Sequence, residues 1–264
     1  MITINHKEEI LQAEMIVTFA RQSLSISVYF VDGILIDTGP AKCHHTLASL
    51  YERWEIEQVF LTHHHEDHTG LAPWLQIKKQ LPVYIHEVGI PICQKKANLP
   101  MYRRLLLGKR ESFEPLAFKN EHEGNRYKWE IINTPGHTND HVAIYNREKG
   151  WMFGGDLYVL PHPKSMFAFE SVPLMINSLQ SILTYDFDTY ICAHAGIIQS
   201  GKIVIKKKLD YLENIRGEIL YLYEQGMSVQ EIRKRLFPRR HPLHYFSFFE
   251  NSPSHLVRSS LSKI

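Results

Sequence analysis

The segment that most constrains the fold of this chain is the histidine-rich stretch His63-x-His65-x-Asp67-His68, which follows a short apolar run and opens a helical pattern. In an extended loop, side chains two residues apart point the same way, so His63 and His65 can reach one cation. Asp67 and His68 come where the chain turns into the helix and can face a neighbouring position. Imidazole and carboxylate together suit zinc, iron or manganese better than Ca²⁺ or Mg²⁺. The stretch therefore predicts a metal site at the end of a strand.

Three further residues of ligand type follow predicted strands elsewhere in the chain. His137 lies in Pro-Gly-His-Thr, Asp156 in Gly-Gly-Asp, and His194 in Cys-Ala-His-Ala-Gly. The small neighbours leave room for a metal and let the backbone bend. Because strand ends line the functional edge of layered α/β folds, we expect these side chains to complete a coordination that one short segment cannot supply alone.

The rest of the chain alternates short β-branched and aromatic strands with helical periodicity, which predicts an α/β protein with helices on the sheet faces. A chain of 264 residues with 44% hydrophobic and 22% charged residues excludes disordered, collagen-like and coiled-coil proteins. The three cysteines are too few for a disulfide framework. No apolar run reaches the ~18 residues of a membrane helix, and the first residues lack the apolar core of a signal peptide. We therefore expect a cytoplasmic protein with no membrane partner.

The charge balance changes near Gly201. Residues 202–264 hold 12 Lys and Arg against 6 Asp and Glu, whereas residues 1–201 hold 18 against 22. A long helical periodicity begins at the same point. We therefore predict a catalytic domain over residues 1–201 and a helical, basic C-terminal extension over residues 202–264 that packs on it.

The basic clusters of this extension allow two interpretations. Lys206-Lys207-Lys208 is interpreted as the solvated face of a helix. For Arg233-Lys234-Arg235 and Arg239-Arg240-His241 a solvated face and a surface for an anionic substrate or RNA both stay open. DNA binding is not favoured, because only one capped helix resembles part of a helix-turn-helix.

These motifs resemble the metallo-β-lactamase superfamily over residues 14–200. Besides the residues above, Ile36-Asp37-Thr38-Gly39 resembles an upstream motif whose Asp supports the metal ligands from behind, and residues 134–141 resemble the third-ligand loop, which carries a second His at His141. The resemblance implies an αββα four-layer sandwich with a dinuclear site at one edge. It assigns His63, His65 and His137 to the first metal, Asp67, His68 and His194 to the second, and Asp156 to both. It implies two divalent ions, with zinc favoured and iron or manganese as alternatives.

Departures from the pattern narrow the branch. Metallo-β-lactamases proper lack a bridging Asp at the position of Asp156, and the flavin-linked di-iron branch has Glu where this chain has His65. Only 37 residues separate Asp156 from His194, so the large insertion of the RNA-processing branch is absent. The chain is similar to the glyoxalase II, lactonase and small thioesterase group.

The resemblance implies a metal-dependent hydrolase that cleaves a small ester, lactone or thioester by attack of a metal-bridging hydroxide. Asp67 would orient that hydroxide. Tyr158 is also a catalytic candidate, since its hydroxyl could donate a hydrogen bond to the oxyanion, but packing is the favoured role of this side chain. For Asp37 the resemblance implies support of the ligands from the second layer, and for His141 either that role or strand packing.

Other functions remain as alternatives. One is a metallonuclease or phosphodiesterase, a second is a persulfide dioxygenase-like enzyme with one iron, and a third is a regulator that keeps the metals as structure. The expected partner is a small acyl substrate, with an anionic one included. Nucleic acid is not favoured, and the oligomeric state stays open.

Overall fold

The structure of the chain is a computed structural model that describes residues 2–20, 22–239 and 242–262. Its core is a pair of mixed β-sheets packed face to face. Helices cover the outer face of each sheet. The predicted α/β class and the αββα sandwich are confirmed, and the C-terminal extension is helical as expected.

The first sheet has seven strands, which lie side by side in chain order. Neighbours are antiparallel from the first to the fourth strand and parallel from the fourth to the seventh. The strands are β1 (Ile2–Lys7), β2 (Ile10–Phe19), β3 (Gln22–Val31), β4 (Ile34–Ile36), β5 (Gln58–Phe60), β6 (Val83–Ile85) and β7 (Leu116–Ala117).

The second sheet has six strands, and a separate two-stranded ribbon lies outside both sheets. The remaining strands are β8 (Glu121–Glu123), β9 (Lys128–Asn133), β10 (Val142–Asn146), β11 (Trp151–Phe153), β12 (Met166–Phe167), β13 (Thr189–Cys192), β14 (Gly196–Ile198) and β15 (Asn251–Ser252). The spatial order in the sheet is β14-β13-β11-β10-β9-β8, and β12 pairs with β15 in the ribbon.

The helices fall into two groups along the chain. Those that come before β7 are α1 (His44–Tyr51), α2 (Glu66–Thr69), α3 (Ala72–Lys78), α4 (Ile90–Cys93) and α5 (Met101–Leu107). Those that come after β12 are α6 (Val172–Leu183), α7 (Gly201–Glu224), α8 (Val229–Leu236), α9 (Pro242–Phe246) and α10 (Pro253–Leu261). No helix in the described ranges is both long and apolar enough to cross a membrane.

Three buried apolar clusters correspond to the three contacts between the four layers. The cluster between the sheets includes Phe60 from the first sheet and Trp129 from the second. A second cluster joins the first sheet to α1, α3, α4 and α5. A third joins the second sheet to α6, α7, α8 and α10. Burial of side chains along these contacts supplies the main driving force for folding.

The C-terminal helices pack on the second sheet. Ser228 caps α8 and forms a capping box with Glu231, as the sequence predicts. One expectation about the lysines was wrong. Lys206 and Lys207 are exposed, but Lys208 is buried and its Nζ donates to the carbonyl oxygen of Leu157 at 2.7 Å. Of the second basic cluster, Arg240 and His241 lie outside the described residues. The division into domains at residue 201 stays a prediction.

Asp32 joins the two sheets at the edge away from the metal-ligand candidates. Its carboxylate accepts hydrogen bonds from the backbone N–H of Arg126 and Tyr127 and from the indole Nε1 of Trp129, at 2.7 to 3.1 Å. All three donors precede or begin β9 in the second sheet. One buried carboxylate therefore satisfies three donors of the second sheet's first turn and strand.

We expect Asp32→Ala to destabilise the protein by roughly 3 kcal/mol, because the substitution leaves three donors without their acceptor. The midpoint of urea unfolding, followed by tryptophan fluorescence, measures this loss. Asp32→Asn keeps an acceptor oxygen and tolerates the positive φ of this position, so it should lose less. An unchanged midpoint in Asp32→Ala would contradict this role for the carboxylate.

Candidate metal centre

The topology brings the predicted site residues to one edge of the sandwich. β4 and β5 are parallel, so Asp37 and Thr62 follow their ends at the same edge. In the second sheet β9, β11 and β13 run in the same direction, and His137, Asp156 and His194 follow their ends. The two edges are joined where the N–H of Val142 donates to the carbonyl oxygen of Thr62 at 2.9 Å.

The first group of candidate ligands consists of His63, His65 and His137. Each is buried, and one ring nitrogen from each lies within 4.8 Å of the others. The Nδ1 of His65 and the Nε2 of His137 are 3.1 Å apart, although 72 residues separate them in the sequence. The structure thus brings together the three imidazoles that the resemblance assigns to the first metal.

The second group consists of Asp67, His68 and His194, which again offer one atom each within 4.8 Å. The Oδ2 of Asp67 lies 3.5 Å from the Nε2 of His194 and 3.8 Å from the Nε2 of His68. Two imidazoles and one carboxylate can hold one divalent cation here.

Asp156 lies between the two groups. Its Oδ1 is 3.4 Å from the Nε2 of His68, and its Oδ2 is 3.4 Å from the Nε2 of His137 and 3.2 Å from the Nε2 of His194. One carboxylate thus faces a member of the first group and two members of the second. This is the position that the resemblance implies for a residue shared by two ions.

The far nitrogens of four imidazoles are held by hydrogen bonds. His68 Nδ1 lies 2.8 Å from Asp37 Oδ2, and His137 Nδ1 lies 2.8 Å from Glu170 Oε1. His194 Nδ1 lies 2.6 Å from the carbonyl oxygen of Ser25. His63 Nδ1 lies 3.1 Å from the Oγ1 of Thr62. Such partners fix the ring orientation and tautomer and leave the other nitrogen free to bind a metal.

Asp37 lies behind the candidate centre, where the resemblance implies a supporting carboxylate. Besides His68, its carboxylate accepts hydrogen bonds from the backbone N–H and the hydroxyl of Thr62, at 2.9 to 3.1 Å. Asp37 has a positive φ of 58°, a conformation that Asp tolerates better than most residues. The strained backbone places one carboxylate behind two neighbouring segments.

His141 occupies a similar position behind Asp156. Its Nδ1 lies 2.8 Å from the hydroxyl of Thr134, and its Nε2 accepts a hydrogen bond from the backbone N–H of Asp156 at 3.1 Å. Burial and the nearby His137 lower the pKa of His141 to about 3, so the ring is neutral and can accept this bond. Gly155 leaves the space for it, since a Cβ there would lie 2.7 Å from His141 Nε2.

Burial and neighbouring charges shift the pKa values of the candidate ligands in both directions. Burial and the neighbouring imidazoles hold the pKa of His63 and of His65 well below the usual value. Burial also opposes the charging of His68 and His194, but nearby carboxylates, including Asp156, outweigh it. They raise the pKa of His194 to about 9 and the pKa of His68 well above its usual value. Burial alone would raise the pKa of Asp156, yet His194 and His68 hold it well below its usual range.

The residues present fit a divalent metal. Three buried polar atoms of this centre have no hydrogen-bond partner: His63 Nε2, His68 Nε2 and Asp156 Oδ1. Buried polar atoms are normally satisfied, and an orphaned one calls for an unseen partner. The same three residues also offer one ligand atom each within 4.8 Å of one another. Cations held by the two groups would supply the partners that these atoms lack.

Tyr158 is placed differently from the other candidates. Its ring is buried in the apolar cluster beneath the second sheet, 6.0 Å from the ring of Tyr190, and burial raises its pKa. No hydrogen bond from its hydroxyl to the candidate ligands is found among the described residues. Its assignment as an oxyanion donor stays a prediction.

The residues between the ligands have structural partners. His64 Nδ1 lies 2.8 Å from Asp140 Oδ1, and Glu66 accepts a hydrogen bond from Arg103 at 2.8 Å. Glu170, the partner of His137, is not evident from the sequence because it lies 33 residues further along in a segment without a motif. Its only local signal is an acidic residue two positions before a helix.

The comparisons with known proteins agree with this geometry. The family model described as metallo-beta-lactamase superfamily matches residues 23–194. A probable metallo-hydrolase of Bacillus subtilis is 27% identical over 88% of this chain and 86% of its own length. A hydroxyacylglutathione hydrolase of Pectobacterium carotovorum is 31% identical over 71% of this chain and 70% of its own. A metallo-beta-lactamase family protein of Thermus thermophilus shares the fold, with a TM-score of 0.69 and 19% identity over 95% of this chain and 92% of the other.

Proposed function

Because the chain belongs to the metallo-β-lactamase superfamily and is a metallo-hydrolase, we propose that it cleaves a small thioester, ester or lactone. In this proposal the enzyme binds two divalent ions, and zinc is the favoured metal. The observation that supports this proposal most directly is the position of the Asp156 carboxylate between two groups of candidate ligands. The relative named hydroxyacylglutathione hydrolase supports a thioester as the first substrate class to test. The expected partner is a small acyl compound, and a cytoplasmic location stays a prediction.

Each group of residues has a defined task in this proposal. His63, His65 and His137 would hold the first ion, Asp67, His68 and His194 the second, and Asp156 would face both. When bound, such ions lower the pKa of water to about 7 and polarise a carbonyl oxygen, which supplies the nucleophile and part of the charge stabilisation for acyl hydrolysis. Asp37 and Glu170 keep His68 and His137 in the tautomer that presents Nε2 to the centre.

Asp67 is the residue that we assign to orienting the nucleophile. Its carboxylate is at the margin of the second group, 3.5 and 3.8 Å from two imidazole nitrogens, and those imidazoles are its only ion-pair partners among the described residues. A carboxylate in this position can accept a hydrogen bond from the attacking group and hold its lone pair toward the carbonyl carbon.

A substrate panel with metal analysis of the same preparation tests the proposal. We expect hydrolysis of acyl thioesters or esters by protein that contains close to two equivalents of divalent metal. The panel includes a nitrophenyl phosphodiester and labelled RNA. Cleavage of either of these without any acyl cleavage would contradict the proposal and favour the nuclease alternative. One tightly held iron with persulfide oxidation would favour the dioxygenase.

Glu170 provides a first prediction about metal binding. We expect Glu170→Ala to weaken binding of the first ion by about 10–100-fold, because the imidazole of His137 loses the carboxylate that orients it. Competition with a chromogenic zinc chelator measures this affinity. Glu170→Gln keeps an acceptor oxygen without the charge, so its metal affinity should lie between those of the wild-type protein and Glu170→Ala.

Glu213→Ala is the matched control for this substitution. Glu213 is an exposed residue of α7, bonded to Gln180, and it has no contact with the centre. It should leave the metal affinity unchanged. Equal affinities for the wild-type protein and Glu170→Ala would show that Glu170 does not position His137.

A further inference from the structure

An exposed aromatic side chain flanks the candidate metal centre. The ring of Phe169 lies 5.1 Å from that of His65 and 6.1 Å from that of His137, edge-on in both cases, yet 43% of the residue is exposed. Exposure of a phenyl ring to water is unfavourable, and covering the ring lowers the free energy. It is therefore placed to be covered by part of a molecule that reacts at the centre.

The turn that holds Phe169 is anchored to the same centre. The ring of Phe167 stacks on that of Phe169, with centroids 5.3 Å apart and planes 6° from parallel. The N–H of Glu170 donates to the carbonyl oxygen of Phe167, and the Glu170 carboxylate holds both the N–H of Phe167 and His137. The aromatic pair is consequently fixed relative to the candidate ligands before any substrate binds.

A second aromatic pair comes from the C-terminal extension. Phe248 and Phe249 follow α9 and are 76% and 56% exposed. Two residues later the chain enters β15, where Asn251 pairs with Phe167. The turn with Phe248 and Phe249 therefore lies near Phe167 of β12.

The other side of this turn contacts α5. The ring of Phe248 lies 6.5 Å from that of Tyr102, and the hydroxyl of Tyr102 donates to the carboxylate of Glu250. The next residue, Arg103, is bonded to Glu66, the neighbour of His65. The turn thus connects the two sides of the centre: β12 with Phe167 on one, and α5 with Arg103 on the other.

The charges beside His65 are already neutralised. Arg103 Nη2 and Glu66 Oε2 are 2.8 Å apart, and both side chains are mostly buried. Neither is free to bind a charged group of a substrate. The exposed aromatic surface is then the main contact that this side of the centre offers.

We propose that Phe167, Phe169, Phe248 and Phe249 form a binding surface for an apolar acyl chain, so that the enzyme prefers esters or thioesters with medium-length aliphatic or aryl acyl groups over short or charged ones. This inference rests on the proposed acyl hydrolysis. The occupant is the acyl chain of the substrate, because Phe169 of this surface contacts the imidazoles of His65 and His137, near which the carbonyl would react.

The test compares kcat/KM for coenzyme A thioesters and nitrophenyl esters with acetyl, butyryl, hexanoyl, octanoyl and succinyl groups, using the full chain loaded with zinc. We expect kcat/KM to rise with chain length, by up to about fourfold for each methylene that becomes buried. The succinyl compounds, which carry a charge, should be poorer than the butyryl ones. In Phe169→Ala we expect an approximately tenfold loss for octanoyl substrates, mainly in KM, and less than a twofold change for acetyl substrates.

Two further variants separate specificity from folding. Phe248→Ala combined with Phe249→Ala should also flatten the chain-length dependence. Tyr221→Ala, which removes an aromatic that is 60% exposed on α7, should leave it unchanged. Metal content and thermal midpoint are measured for each variant, since a merely structural effect would lower activity on all substrates alike.

The outcomes are distinct. Hydrolysis of acyl substrates with a flat chain-length profile in the wild-type protein would overturn this inference alone. So would equal losses on all substrates in Phe169→Ala. Two results, each combined with that flat profile, would assign the surface to another occupant. Binding of the wild-type protein to phosphatidylcholine vesicles would indicate a membrane, and a dimer that Phe248→Ala disrupts would indicate a second copy of the chain. No acyl hydrolysis at all would overturn the proposed function, and this inference with it.

Discussion

Replacing Asp156 by Asn is expected to lower kcat/KM by roughly 10³-fold, since charge stabilisation by metal ions contributes several kcal/mol to such reactions. The Asp156 carboxylate lies within 3.4 Å of ring nitrogens from both candidate ligand groups. The amide keeps the shape of the side chain but removes the charge that would face the two proposed ions. Metal analysis of the purified variant should show fewer than two equivalents.

Asp186→Asn is the control for this prediction. Asp186 is exposed, and its side chain pairs only with Lys202 at 3.6 Å among the described residues. The same chemical change there should leave kcat/KM and metal content as they are. If Asp156→Asn kept both two ions and full activity, the assignment of Asp156 as the shared residue would be wrong.

Removal of the metal is expected to abolish hydrolysis completely and to lower the thermal midpoint. At a free metal concentration about 100 times its dissociation constant, binding stabilises a protein by about 2.7 kcal/mol, which corresponds to a fall in Tm of roughly 5–10 °C for each ion removed. Dialysis against a chelator, followed by differential scanning calorimetry, measures the fall. Readdition of zinc should restore both activity and Tm.

The Asp156→Asn variant serves as the internal comparison. It should hold less metal, so the chelator should lower its Tm by less than that of the wild-type protein. An identical Tm for chelated and zinc-loaded wild-type protein would mean that the centre binds no ion tightly, and the proposed chemistry would then lack its nucleophile.

The sequence predicted the main parts of the fold because their signals are local. Alternating and apolar runs identified the strands that form the core, and the capping box identified the start of α8. It did not predict β1, whose residues are mostly exposed and which pairs only with β2. A strand of this kind has no burial pattern of its own, because its neighbour determines its conformation.

The candidate ligands were also readable from the sequence, for a geometric reason. Spacing within residues 63–68 fixes the relative directions of four side chains, and the small residues beside His137 and His194 point to strand ends. Glu66 shows the limit of this argument. Its spacing alone does not tell whether the side chain faces solvent or has a structural role, and the structure buries it against Arg103, 37 residues away.

What the sequence determined by itself was which residues can bind metal and that they follow strands, since both depend on residue type and short spacing. Only the tertiary structure decided how these segments meet. It placed Asp156 between the two groups of candidate ligands, paired the Nδ1 of His194 with the carbonyl oxygen of Ser25, and placed Glu170 behind His137. These contacts require positions accurate to a few tenths of an ångström between segments that lie 19 to 169 residues apart in the chain. The packing of two sheets and of the C-terminal extension sets such positions, and no local pattern encodes them.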